Sequence, residues 1–232
     1  MTKAKDLGRM TSAEFIAHLS GLDRRSKEER NVDRESRMFA ARRALAPVLA
    51  DLARSGCEVE SLEKLRTKRI SYRKAAIPIL IRWLSQVGNL DAKEEIVRTL
   101  TVKEARPHAA EALVAEFVSL GLDGTDSVRW AIGNALAEVA DDSVFESVRD
   151  LLIDTRYGRS REMLALALGN MKNEGAIDVL ISALDDAEVA GHAVKALGRL
   201  RAKKARPAVE RFLNHDQAWI RREAKRAIER MR

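Results

Sequence analysis

The chain has a single cysteine, Cys57, among 232 residues. That excludes an internal disulfide framework and any cysteine-cluster metal site. Aromatic residues make up only 4%. Together with the β-branched residues they do not alternate with polar ones over any useful length, so strand signals are weak. No apolar run approaches the roughly 20 residues that a membrane span needs. The start, Met1-Thr2-Lys3-Ala4-Lys5-Asp6, leads into no signal-peptide stretch, and a cytoplasmic location is expected. Gly121-Leu122-Asp123-Gly124 lacks the lysine and the preceding strand of a phosphate loop. The four histidines, His18, His108, His192 and His215, have no partner at metal-ligand spacing. No metal or cofactor is expected. Cys57 lies in no Cys-His-acid arrangement, and acid pairs such as Asp141-Asp142 and Asp185-Asp186 fall in turns, where capping explains them.

What remains is helix. Ala, Leu, Arg, Glu and Lys dominate, and apolar residues recur at three and four spacings, as in Val189, Ala193, Ala196, Leu197 and Leu200. The length allows one ordinary domain or a small repeat array. With 33% charged and 46% hydrophobic residues, the chain is too apolar to be disordered.

Five segments stack on one pattern: Ala92–Leu100, Val128–Leu136, Ser160–Leu168, Val189–Leu197 and Ile220–Ile228. Their last positions are 36, 32, 29 and 31 residues apart. The position before the last is Thr99, Ala135, Ala167, Ala196 and Ala227, small so that a neighbouring helix can approach closely. Another apolar helix lies ahead of each segment, over 75–87, 107–120, 144–153, 176–184 and 207–213. Asp91, Asp126, Asp185, Asp186 and Asp216 stand just before the second helices, placed to cap their orphan N–H groups. This is a helix–turn–helix repeat of about 30 residues, with too little core in each unit to stand alone.

The Val128-Arg129 and Ile220-Arg221 pairs, the Ala-Leu or Ala-Ile that follows, and Pro78, Pro107 and Pro207 in first helices carry a resemblance. Residues 72–232 resemble HEAT repeats, in the short form also found in phycobilin lyases. Ala190 departs from the pattern, standing where Arg129, Arg161 and Arg221 stand, and Lys93 takes that place in the first repeat. The resemblance implies an all-α, right-handed solenoid of about five helix pairs, with the second helices lining its concave face.

Residues 1–71 do not repeat and are expected to form an N-terminal helical cap. Thr11-Ser12-Ala13-Glu14 reads as a capping box for a short helix to about Leu19. A charged loop is expected over 21–32, then a helix from Asp33 to Arg54 that stops at Ser55-Gly56, and another over 59–68.

The net charge of +7 invites a nucleic-acid reading. Its distribution argues otherwise. Residues 1–73 carry net +6 and residues 206–232 net +4, while 74–140 carry −2 and 141–205 carry −1. A solenoid that tracks a phosphate backbone needs a continuous basic stripe.

The residues expected to point outward from the second helices are Arg129, Trp130, Asn134, Arg161, Glu162, Lys195, Arg199, Arg222 and Arg226. A mixed groove centred on Trp130 and Glu162 suits a protein or peptide partner, because Trp and Arg anchor protein interfaces. For Arg129, Arg161 and Arg221, which recur at one place in the repeat, bonding to neighbouring helix ends is favoured over partner contact. The expected function is therefore a non-enzymatic scaffold for a protein partner. Two alternatives stay open, both implied by the resemblance. One is nucleic-acid binding of the DNA-repair type, through Arg and Lys of the concave face and the ends. The other is a bilin-lyase-like activity.

Overall fold

The computed structural model describes residues 12–232, and side chains from residue 28 onwards. The described residues form twelve α-helices linked by short 3-10 turns, with no strand among them. The chain divides into two compact units between Arg43 and Ala44.

Helix α1 (Ser12–Arg54) runs unbroken for 43 residues. The loop expected over 21–32 is helical. The dense charge there is Arg, Lys and Glu, which are strong helix formers, and after Gly21 the stretch contains neither Gly nor Pro. Thr11 of the expected capping box lies outside the described residues. The helix passes through Pro47 and ends where expected. Gly56 has φ +79°, and the Cys57 N–H donates to the Leu52 carbonyl at 2.8 Å. This left-handed closing residue satisfies a carbonyl that the helix itself cannot.

In the second unit, the end of α1 buries Leu45, Val48 and Leu52. The short α2 (Leu62–Arg66) is capped by the Ser61 hydroxyl, which accepts from the Lys64 N–H at 3.2 Å. Five helix pairs follow. They are α3 (Ile70–Leu84) with α4 (Leu90–Leu100), α5 (Ala110–Ser119) with α6 (Asp126–Val139), α7 (Phe145–Ile153) with α8 (Glu162–Leu168), α9 (Gly175–Ser182) with α10 (Ala190–Arg199), and α11 (Arg206–Glu210) with α12 (Ala218–Arg230). The even-numbered helices from α4 to α12 pack directly on one another, while the first helices meet over fewer places. The result is an all-α solenoid. Its core is a row of Ala, Leu, Ile and Val, with Phe117, Phe145 and Phe212 buried in or beside the first helices. Trp83 is half-buried and donates its Nε1–H to Asp51 at 2.9 Å. That bond, before all else, holds the Asp51 carboxyl below its usual range.

Close packing of the second helices explains their small residues. A Cβ on Gly169 would lie 2.7 Å from the Ala196 Cβ, and one on Gly198 would lie 2.7 Å from the Ala227 Cβ. These are the Ala positions that the repeat pattern picks out.

Capping is more varied than the row of aspartates implies. Asn89, not Asp91, caps α4, accepting from the Ala92 N–H at 2.9 Å. Asp186 does accept a backbone bond, from the Glu188 N–H at 3.0 Å.

Candidate functional site

The recurrent basic position turns inward. Arg129 and Arg161 are each only 1% exposed, which corrects the expectation that they point out of the groove. The reason is a repeated carbonyl problem. Each first helix ends in backbone oxygens without an intrahelical donor, and a basic residue early in the second helix reaches back to carbonyls at or near that end, nine positions before it in the first three repeats. Lys93 Nζ donates to the Leu84 carbonyl at 3.1 Å. Arg129 Nη2 donates to Leu120 at 2.6 Å, and Arg161 Nη1 donates to Leu152 at 2.9 Å. In the last repeat Arg221 Nη1 serves His215 at 2.6 Å and Asp216 at 2.8 Å. Arg129 is further held over the rings of Phe117 and Tyr157, 5.7 and 5.1 Å from their centroids. Lys93 is paired with buried Glu116. Arg161 is paired with Asp186 at 2.6 Å and Glu188 at 2.9 Å.

With those cations removed from the surface, the exposed face of the second helices is mixed. A cleft of about 570 Å³ opens between α6 and the turn before α8. Trp130, 47% exposed, forms one side of it, and Tyr157, Arg159 and Glu162 line the rest. The turn is possible because Gly158 takes φ +48° and ψ −137°, a conformation that a side chain resists. A second cleft of about 690 Å³ lies beside the first, between α8, α10 and α12, and shares Arg159 and Glu162 with it. His192, Lys195, Trp219 and Glu223 line this second cleft.

The two clefts meet at one ion pair. Arg159 Nε donates to Glu162 Oε1 at 2.8 Å, and that bond raises the arginine's pKa. Glu162 is itself only 9% exposed, less open than its expected outward position implied. It lies on the floor between the clefts, covered by Arg159. In the second cleft Trp219 leans on His192, with centroids 5.3 Å apart, and its Nε1–H donates to Gln217 at 2.6 Å. The Trp219 ring occupies the space in which a Gly191 side chain would stand. Burial pushes the His192 pKa down, opposed by the nearby Glu162 carboxylate.

The charges of this face are largely neutralised within the chain. Arg156 is held by Asp154 at 2.6 Å, Glu188 by Arg161, and Arg226 by Glu223 at 2.8 Å. Lys195 and Arg222 make no ion pair among the described residues, and Arg199 reaches only Asn170, at 3.4 Å. Asn134 donates back to its own helix, to the Trp130 carbonyl at 3.2 Å. No group of three His, Cys, Asp or Glu side chains that could hold a metal ion occurs among the described residues. No helix among them is long and apolar enough to cross a membrane.

A sequence model of the HEAT repeats matches residues 111–189 and 177–232. The chain belongs to the HEAT-repeat family. A crystal structure of an engineered protein is similar at 23% identity and a TM-score of 0.48, over 73% of this chain and 87% of that one. No curated protein matches.

Within the HEAT array, the structure brings Trp130 and Glu162 to one cleft and places Lys195 at the next. It separates Arg129 and Arg161 from both surfaces. Among the cleft residues that escape the sequence reading are Tyr157, Arg159, Trp219, Glu223 and the groove-facing role of His192. Arg159 and Trp219 were open to discovery. Each stands immediately before the first position of its segment, the place that Ser127 and Glu188 hold in other repeats, and all four line the clefts.

Proposed function

We propose that this HEAT array is a non-enzymatic scaffold that seats a protein or peptide segment along its second-helix face. HEAT repeats generally serve as protein-interaction scaffolds. The observation that carries the reading is the exposed Trp130, standing in a cleft that shares its floor, Glu162, with a second tryptophan-lined cleft. Large aromatic side chains in partly enclosed pockets are the usual energetic centres of protein interfaces. Two such seats on adjacent repeats suit an extended segment with two apolar anchors. The Arg159–Glu162 pair between them offers both a donor and an acceptor. Lys195 lines the second seat, Arg199, Arg222 and Arg226 belong to the same second helices, α10 and α12, and Asn134 lies one turn beyond Trp130.

The test is capture from the source extract by wild type and by a Trp130→Ala, Glu162→Gln double variant. The expected result is loss of one or more partners with the helical signal unchanged. Equal recovery of every partner removes the groove as the binding site.

Lys195 and Arg222, free of ion pairs among the described residues, favour a second reading, contact with a phosphate backbone. Gel shift on duplex DNA at two salt concentrations separates the two. Binding that weakens steeply with salt supports nucleic acid. Its absence at micromolar protein leaves the protein groove.

A further inference from the structure

Helix α1 carries two faces. One holds Ala41, Leu45, Val48 and Leu52, spaced by three and four residues and buried. The opposite face, half a helical turn away, holds Glu28, Val32, Glu35, Ser36, Phe39 and Arg43. Every side chain from 28 to 40 is exposed, and Val32 and Phe39 stand 67% and 65% open. A phenylalanine and a valine two turns apart on a bare helix form an apolar seam without a lining.

The charges along this seam say what fits it. Glu28 and Glu29 stand at its N-terminal end, and Arg42 and Arg43 at its C-terminal end. None of these four makes an ion pair among the described residues, whereas Asp33 and Arg37, off the seam, pair with each other at 3.5 Å. A parallel partner of the same sequence would set acid on acid and base on base. An antiparallel one sets Glu28 and Glu29 opposite Arg43 and Arg42. The same register sets Val32 opposite Phe39, twice, by the two-fold axis. The charge order and the apolar spacing select one register independently.

We propose that this face of α1 pairs antiparallel with the same face of a second copy of the chain, making a homodimer through residues 28–43. The Val32–Phe39 pairs flank its two-fold axis, where Glu35 faces Ser36, and the Glu28–Arg43 and Glu29–Arg42 pairs form its two ends.

Sedimentation equilibrium of the full chain over a wide concentration range tests this. The expected mass rises from 25.9 kDa towards twice that value, and the rise weakens at high salt. Phe39→Ser, at an open position, should hold the protein at 25.9 kDa with unchanged circular dichroism. So should the Glu28→Arg, Glu29→Arg variant and, separately, the Arg42→Glu, Arg43→Glu variant. Mixing the two charge-reversed variants should restore a dimer that contains one of each. A wild-type mass fixed at 25.9 kDa throughout overturns the proposal. Dimerisation that survives Phe39→Ser, or that fails to return in the mixture, overturns it as well.

Discussion

Arg129 is a cation with almost no water, and its neighbours explain why it is tolerated. Its guanidinium donates to Leu120 and Gly121, both at 2.6 Å, and to Thr125 at 2.8 Å, with aromatic rings beside it. Substitution by Leu keeps the apolar stem but leaves those part-buried carbonyls without that donor. The expected loss is about 3 kcal/mol, read as a lower urea midpoint with an unchanged slope. Arg222→Leu, at an exposed position, should stay within about 0.5 kcal/mol. Arg201 shows the opposite case. It holds φ +50° at the end of α10, where the Ala202 N–H closes on the Leu197 carbonyl at 3.1 Å. Glycine has no Cβ to strain there, so Arg201→Gly should stabilise by about 1 kcal/mol. His192 ties the second cleft to pH. Its folded pKa is depressed by burial, so the neutral ring is favoured in the native state. The stability it contributes is full above the unfolded value near 6.5 and is lost as pH falls through the folded value. The urea midpoint of wild type should drop between pH 7 and pH 5 more than that of His192→Gln. Parallel slopes would remove His192 from the account. The basic residue of the repeat was visible in the sequence, and its recurrence favoured bonding to helix ends, but its depth of burial was not legible. Spacing gives a helix face, whereas burial of Arg129 depends on where the preceding helix stops and leaves its carbonyls.

At the scale of the elements, the second helices were legible because their signal is redundant. An apolar residue, a small residue and a closing Leu or Ile recur in each of the five segments. That pattern survives tertiary context because it is the contact between repeats. The small position is the most stringent. Gly198 faces Ala227 so closely that an added Cβ would sit 2.8 Å from its Cα. Gly198→Ala should cost about 1–3 kcal/mol by overpacking. Gly88→Ala, with nothing within 4 Å, should not incur that cost. Combining Gly198→Ala with Ala227→Gly should recover part of the loss, and a double-mutant cycle that shows strict additivity would refute the contact argument. The N-terminal part of α1 was misread for the reverse reason. Residues 21–32 have no apolar periodicity to report, and charge density alone does not distinguish a solvated helix from a loop. The groove fell between these cases. Trp130 and Glu162 lie at the same place of adjacent repeats, so their meeting could be read from the alignment. Trp219 stands at a repeat place whose residues line the clefts, but how its ring sits there depends on Gly191, which leaves room for it.

For the whole molecule, the distribution of charge follows the ends of the array. A solenoid has two open faces, and each terminal repeat needs a polar outer side. Helix α12 meets this need with Ile220, Ala224 and Ala227 buried on one side and Arg222, Lys225, Arg226 and Arg230 exposed on the other. At the opposite end we propose that the cap expected over residues 1–71 resides in its second part. There Val48, Leu52, Leu62 and Leu65 are buried, and Arg66 pairs with Glu95 of α4 at 3.0 Å. Residues 1–43 form a unit of their own. Deletion of residues 1–43 should therefore leave the thermal midpoint within about 4 °C of the full chain. Deletion of residues 202–232 should do far more, because Val194 and Leu197, wholly buried now, lose the helix that covers them. That fragment should bind a hydrophobic dye and lose its single cooperative transition. If both truncations melt like the parent, the ends carry no capping energy, and the basic termini would need another cause. If the N-terminal deletion is the damaging one, the cap begins before Ala44 and the exposed seam of α1 belongs to it. The two deletions thus locate the array's boundaries by energy, where sequence periodicity could locate only the first repeat.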